Sequence, residues 1–207
     1  GEIVIVTTPD PERLAHARAP GASVVAPQPI LDWLSPDEGL TPPCTIDGVQ
    51  IEMIPYAPAS AGPVELLGKV QGIALKPATA ARRLLARARS PRVAPQVTML
   101  TFPSGERLVH LNLSIHSETP ADWLADIQAR AAGAQWLVLG VVLGQSDAVL
   151  QALPGFEARY VLFTDFVSDT SRGLGRPVEL LTPTADQAVA MGVEGHVCVS
   201  QASYRFE

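Results

Sequence analysis

The chain has 207 residues, 47% hydrophobic and 17% charged, which is enough apolar material for one domain, or two closely packed halves, around a full core. A net charge of −6 and a pI near 5.2 argue against a nucleic-acid surface, because phosphate binding needs clustered Lys and Arg not countered by acids. No apolar run approaches the roughly 18 residues of a membrane span, and the N-terminal stretch lacks the basic region and apolar core of a leader peptide.

The chain opens with the β-branched run Ile3-Val4-Ile5-Val6, followed by Thr7-Thr8-Pro9-Asp10-Pro11-Glu12-Arg13-Leu14. Asp10 is placed to cap a helix and Pro11 to open it, so the stretch reads as strand, tight loop and helix start. In α/β folds such a loop sits at the strand's carboxyl end, where ligands bind. A short helix over Glu12 to Arg18 ends at Pro20-Gly21, and Ser23-Val24-Val25-Ala26 then reads as a buried parallel strand. Pro29 to Leu34 makes a second short helix with Trp33 as core filler.

Thr45 to Ile54 is a hairpin in which Asp47-Gly48 supplies the positive φ angles of a type I′ turn, with one wet face. Pro55 to Pro63 is a loop, and Val70 to Leu75 resumes as a strand. Ala78 to Arg89 is a helix ended by Ser90-Pro91. Its basic cluster, Arg82, Arg83, Arg87, Arg89 and Arg92, reads as a solvated face.

Val97 to Phe102 and Arg107 to Ile115 flank Pro103-Ser104-Gly105-Glu106 as a second hairpin, and this marks the start of a second half. An amphipathic helix follows over Pro120 to Ala132, with Trp123, Leu124 and Ile127 on its apolar side. Strand Trp136 to Val142, helix Ser146 to Leu153 and strand Tyr160 to Phe163 come next. The chain closes with a helix from Thr184, its expected cap, to Met191 and a strand over His196 to Ser200. Cys44 and Cys198 stand far apart in no CxxC or Cys/His spacing, which suggests neither a zinc knuckle nor a disulfide framework and favours the cytoplasm.

The segment Thr7 to Leu14 resembles the Thr-His-x-His-x-Asp-His-Leu signature of the metallo-β-lactamase superfamily, with Thr7, both prolines and Leu14 in place. The resemblance is closest to the branch of ascorbate-6-phosphate-lactonase-like and other metal-dependent hydrolases. It continues at Val49 to Pro55, where Pro58 holds the place of a histidine, and at Val109 to Ser114, where Leu113 holds that of the bridging aspartate. At Val161 to Phe166, Asp165 stands at a late metal-binding histidine. The resemblance implies an α/β fold of αββα type, two mixed sheets with helices outside, over 1–207 as a single domain with halves of roughly 1–96 and 97–207. Members usually carry one or two further hairpins ahead of the motif strand. Here the chain begins at that strand, so residues ahead of it, a second copy or another protein partner are expected to complete the first sheet.

The same resemblance implies that the metal ligands are gone. Thr8 and Asp10 stand at the first two histidines, Glu12 at the aspartate and Arg13 at the last histidine. The vestigial pocket is therefore Thr8, Asp10, Glu12, Arg13, Pro58, Leu113 and Asp165, with no resident metal. An Arg13–Asp165 ion pair is expected in the metal's place. The four histidines, His16, His110, His116 and His196, fall at no ligand position, and His110 and His116 are read as core or surface residues. No nucleophile elbow occurs, and Gly173-Leu174-Gly175 lacks the helix start of a phosphate cradle. Asp165, Asp169 and Arg172 form a polar loop beside the pocket, where a small anionic ligand would fit.

The expectation is a non-catalytic binding or interaction module. The alternative is a metal-dependent hydrolase with Mg²⁺, Mn²⁺ or Ca²⁺ held by Asp10, Glu12 and Asp165, since oxygen ligands suit these ions.

Overall fold

The run after Glu2 forms β1 (Ile3–Ile5), and Ser23-Val24-Val25 forms β2 (Ser23–Val25), parallel to it with Ile3 opposite Ser23. The structure, a computed structural model, describes residues 3–7, 17, 21–36, 38–56, 77–78, 81, 85, 88–94, 96–111, 115, 117–140, 146–164 and 182–198. Val24 and Val25 are both fully buried, as a strand covered on two faces requires. Helix α1 (Gln28–Leu34) follows and ends where Ser35 turns left-handed and donates its N–H to the Leu31 carbonyl at 2.8 Å.

The chain then returns as β3 (Glu38–Leu40), parallel to β2, so the first sheet has the order β1-β2-β3. The sequence reading did not anticipate β3, because an acid and a glycine lower its strand propensity. Gly39 is needed there: a Cβ would stand 3.1 Å from both a Leu31 methyl and the Pro36 ring. Ile30 and Leu31 of α1 join Val6, Ala17, Val24 and Ala26 in one core, and Trp33 packs against it as expected.

The Asp47-Gly48 turn, with φ of 49° and 80°, joins β4 (Cys44–Ile46) to β5 (Val49–Pro55) in the expected antiparallel hairpin. Thr45, Gln50 and Glu52 are exposed while Ile51 is buried, which is the alternation of a sheet with one wet face. The second hairpin pairs β6 (Gln96–Thr101) with β7 (Arg107–Leu111), closed by Phe102 N–H donating to the Glu106 carbonyl at 2.9 Å.

From β7 the chain winds through α2 (Ala121–Ala131) to β8 (Trp136–Gly140). It continues through α3 (Ser146–Ala152) and a 3-10 turn (Leu153–Phe156) to β9 (Tyr160–Thr164), then through α4 (Thr182–Ala190) to β10 (Glu194–Cys198). The second sheet has seven strands in the order β10-β9-β8-β7-β6-β5-β4, antiparallel from β4 to β7 and parallel from β7 to β10. Val97, Met99, Val109, Leu111, Leu137, Leu139, Val161 and Phe163 line one face, against Ile127, Val149, Phe156 and Ala188.

Two expectations change. The fold is mixed α/β with two sheets, but among the described strands only one sheet is mixed and the other is parallel. Both hairpins belong to the mixed sheet, where β5 pairs with β6 from Gln50 opposite Thr101 to Pro55 opposite Gln96. Thr184 does not cap its helix, which begins two residues earlier at Thr182 and carries Pro183 in its first turn, where a missing N–H is harmless. Val70 to Leu75 lies outside the described residues, as does all of Glu12 to Arg18 apart from the buried Ala17. Of the following helix, Ala78, Ala81, Leu85 and Ala88 are helical.

Candidate functional site

Thr8, Asp10, Glu12, Arg13, Pro58, Leu113 and Asp165 all lie outside the described residues, as do His16, His116, Asp169 and Arg172. The strands that lead to them are described. Thr7 follows β1, whose last neighbour, Val6, donates its N–H to the Val25 carbonyl at 2.9 Å. β5 and β7 are each antiparallel to β6, so they run in the same direction, and β7, β8 and β9 are mutually parallel. The segments that carry Pro58, Leu113 and Asp165 thus all leave from one rim of the mixed sheet, past Tyr56, Leu111 and Thr164. This is the carboxyl-end rim where ligands bind in parallel sheets.

Two buried polar atoms near this rim have no hydrogen-bond partner among the described residues: Trp123 Nε1 and Thr98 Oγ1. Trp123 projects from the first turn of α2 and lies against Tyr56, ring centroids 3.9 Å apart and tilted by 33°. The Tyr56 hydroxyl and Thr119 Oγ1 are 3.5 Å apart, a long contact that ties the end of β5 to the start of α2. Tyr56 is buried, so this aromatic pair fixes the rim through area and ring geometry.

On the opposite face of the sheet, register places Met53, Thr98, His110, Val138 and Leu162 in one row. Thr98 is 2% exposed, between Val97 and Met99 in a strand stretch buried on both faces. His110 keeps some surface open, yet its ring is crowded enough that burial pushes its pKa down to about 4. Burial disfavours the charged ring, so the imidazole is neutral at physiological pH. His110, read as a core or surface residue, is partly buried. Gln96, next along this face toward the rim, is buried and donates its amide to the Ala94 carbonyl at 2.6 Å.

Sequence reasoning missed Thr98. The available signal was a hydroxyl inside Val97-Thr98-Met99-Leu100, where alternation alone would put the wet face.

An open cleft of about 240 Å³ lies elsewhere, beside the edge strand β4, lined by Cys44, Gln50, Glu52, Thr101 and Arg107 among others. It is at the sheet end that carries the hairpin turns. Its guanidinium is already engaged, because Arg107 donates to the Ala132 and Arg130 carbonyls at 3.0 and 2.5 Å. Burial raises the Cys44 thiol, which makes it a poorer nucleophile at neutral pH. Cys198 is on β10 at the other edge of the sheet, six strand spacings or roughly 29 Å from β4. A disulfide spans no more than about 7 Å between Cα atoms.

Among the described residues no three His, Cys, Asp or Glu side chains gather where they would hold a metal ion. At the positions singled out by the resemblance, Pro58, Leu113 and Arg13 carry side chains that are not zinc ligands. No described helix is long and apolar enough to cross a membrane. The fold defines the class: a mixed α/β protein whose described strands make a three-stranded parallel sheet and a seven-stranded mixed one. Neither the known protein-family models nor the curated proteins give a match to this sequence.

Proposed function

We propose that the chain is a non-catalytic binding or interaction module built on a metallo-β-lactamase-like scaffold whose metal ligands have been replaced. The observation that carries this reading is the shared rim: the segments bearing Pro58, Leu113 and Asp165 follow β5, β7 and β9, which run in one direction in one sheet. The resemblance requires those positions to approach one pocket, and two of the three bear side chains that bind no metal. In this reading Arg13 pairs with Asp165; the other charged pocket residues, Asp10 and Glu12, are acidic, so a small anionic ligand would have to be met by Arg172 of the bordering loop.

β1 has a neighbour on one side only among the described strands, which supports completion of the first sheet by a second copy or a protein partner. The spacing of Cys44 and Cys198 favours a cytoplasmic protein.

Metal analysis of protein purified without chelator tests the reading. Metal well below one equivalent, unchanged in Asp10→Ala and Asp165→Ala, is the expected result. Near-stoichiometric Mg²⁺, Mn²⁺ or Ca²⁺ that is lost in both variants would replace it with the carboxylate-site hydrolase.

A further inference from the structure

Thr45 of β4, Gln50 of β5, Thr101 of β6 and Arg107 of β7 are successive cross-strand partners, so four polar side chains stand side by side at the hairpin end of the mixed sheet. Two residues farther along the same face, Glu52 lies opposite Met99. All of these line the open cleft of about 240 Å³ beside β4, together with Pro43. They differ in how far they are already engaged. Thr45, Gln50 and Thr101 make no side-chain hydrogen bond among the described residues, and each keeps surface open to solvent.

Arg107, by contrast, is tied down: its guanidinium donates to the Ala132 and Arg130 carbonyls, so it lines the cleft without a free fork for an anion. Glu52, half exposed, faces Arg130 at 3.7 Å, while Arg130 holds Asp126 more closely at 3.0 Å. One carboxylate and one guanidinium thus border the same small space, and a charged ligand that one attracts the other repels. Water satisfies isolated polar groups anywhere on a surface. Here a carboxamide between two hydroxyls sets out donors and acceptors at strand spacing, beside Met99, which is only 4% exposed. A neutral ligand with several neighbouring O–H groups, each both donor and acceptor, matches that row; a single alcohol or amide meets one member of it. The volume lies below the roughly 300 Å³ at which pockets for drug-sized ligands begin, so it has room for one ring and not for a chain of them.

We propose that this cleft binds a neutral polyhydroxyl compound, one sugar ring or a cyclic polyol, held by Thr45, Gln50 and Thr101, with Glu52 accepting from a further hydroxyl. These four residues lie on β4, β5 and β6, at the end of the sheet opposite the rim that leads toward Pro58, Leu113 and Asp165. The site is therefore independent of the proposed pocket at Arg13 and Asp165, and either can fail without the other.

The test is a titration of the full chain, labelled with ¹³C at the methionine methyls and ¹⁵N at the glutamine amides, followed by NMR. The Gln50 and Met99 signals are assigned from Gln50→Ala and Met99→Leu. D-glucose, D-ribose and myo-inositol are the neutral probes, glucosamine and glucuronate the charged ones. At least one neutral probe moves the Gln50 amide and the Met99 methyl along a saturating curve, with a dissociation constant on the order of 1 mM, as a few hydrogen bonds allow. Read at the Met99 methyl, Gln50→Ala and Thr101→Val each weaken that binding by about tenfold, the worth of one good hydrogen bond, and Thr101→Ser keeps it. The charged sugars bind more weakly than the best neutral probe. The proposal is overturned if no neutral probe gives a saturating response up to about 50 mM, if Gln50→Ala binds like the parent, or if either charged sugar binds as tightly as the best neutral one.

Discussion

Thr98 of β6 and His110 of β7 face each other across an antiparallel ladder, a hydroxyl and a neutral imidazole in a row that runs through Met53, Val138 and Leu162 to His196. Burial lowers the His110 pKa to about 4, so as pH falls the unfolded chain takes up this proton first, near 6.5, and the folded chain only near 4. The stability held by the neutral ring is complete above about pH 6.5 and drains away between there and about pH 4. Discounted for the ring's partial solvent access, the loss is on the order of 2 kcal/mol. Urea unfolding at stepped pH reads it: His110→Leu should show a shallower decline than the parent across that window. Parallel declines would mean the ring titrates normally.

Gly48 and Pro103 bring the two hairpin turns together. At φ +80° a side chain is strained, and a Cβ would also meet Pro103 Cγ at 3.0 Å. Gly105 has the same conformational demand, at φ +86°, with open space around it. Gly105→Ala should cost about 1 kcal/mol and Gly48→Ala about 1 kcal/mol more, because only the latter adds crowding. Denaturation midpoints of the two variants side by side decide this, and equal losses would remove Pro103 from the argument.

Arg107 caps a helix from another element. Its guanidinium donates to the Arg130 and Ala132 carbonyls at the end of α2, and its backbone N–H donates to Gln135 Oε1 at 2.7 Å. The last helical carbonyls lack intrahelical partners, so these bonds satisfy groups that would otherwise rely on water. Arg107→Ala should destabilise by roughly 1 kcal/mol, with Arg107→Lys in between because an ammonium lacks the fork. The Glu52–Arg130 pair is a useful contrast: at 3.7 Å and half exposed, its loss in Glu52→Ala should change stability by less than about 0.5 kcal/mol. Calorimetric melting of the three variants gives the order, and a larger loss for Glu52→Ala would reverse the ranking.

Local signals in the sequence carried the local structure. Asp47-Gly48 named its turn, Ser23 to Val25 its buried parallel strand, and Trp123, Leu124 and Ile127 the inner face of α2, because each rests on nearby φ angles or a short period. Sheet membership was not legible in the same way. That β4 and β5 join β6 depends on pairings such as Ile51 with Leu100, set by packing between segments far apart in the chain. β3 was missed because Gly39 serves the close approach of Leu31, a tertiary demand that reads locally as a strand breaker. The proposed pocket rests on a resemblance at positions outside the described residues, and the mixed sheet shows only the strands β5, β7 and β9 that lead toward three of them. Thr98 escaped notice because burial on both faces of β6 erases the alternation by which an inward hydroxyl would be recognised.

Whether an ion or an ion pair joins the ends of the opening and late strands is answered most directly by anomalous scattering from crystals grown with Mn²⁺. A scaffold without its metal should give no anomalous peak beside Asp10 and Glu12, and density for the Arg13 guanidinium against the Asp165 carboxylate. A strong peak coordinated by Asp10, Glu12 and Asp165 would contradict it.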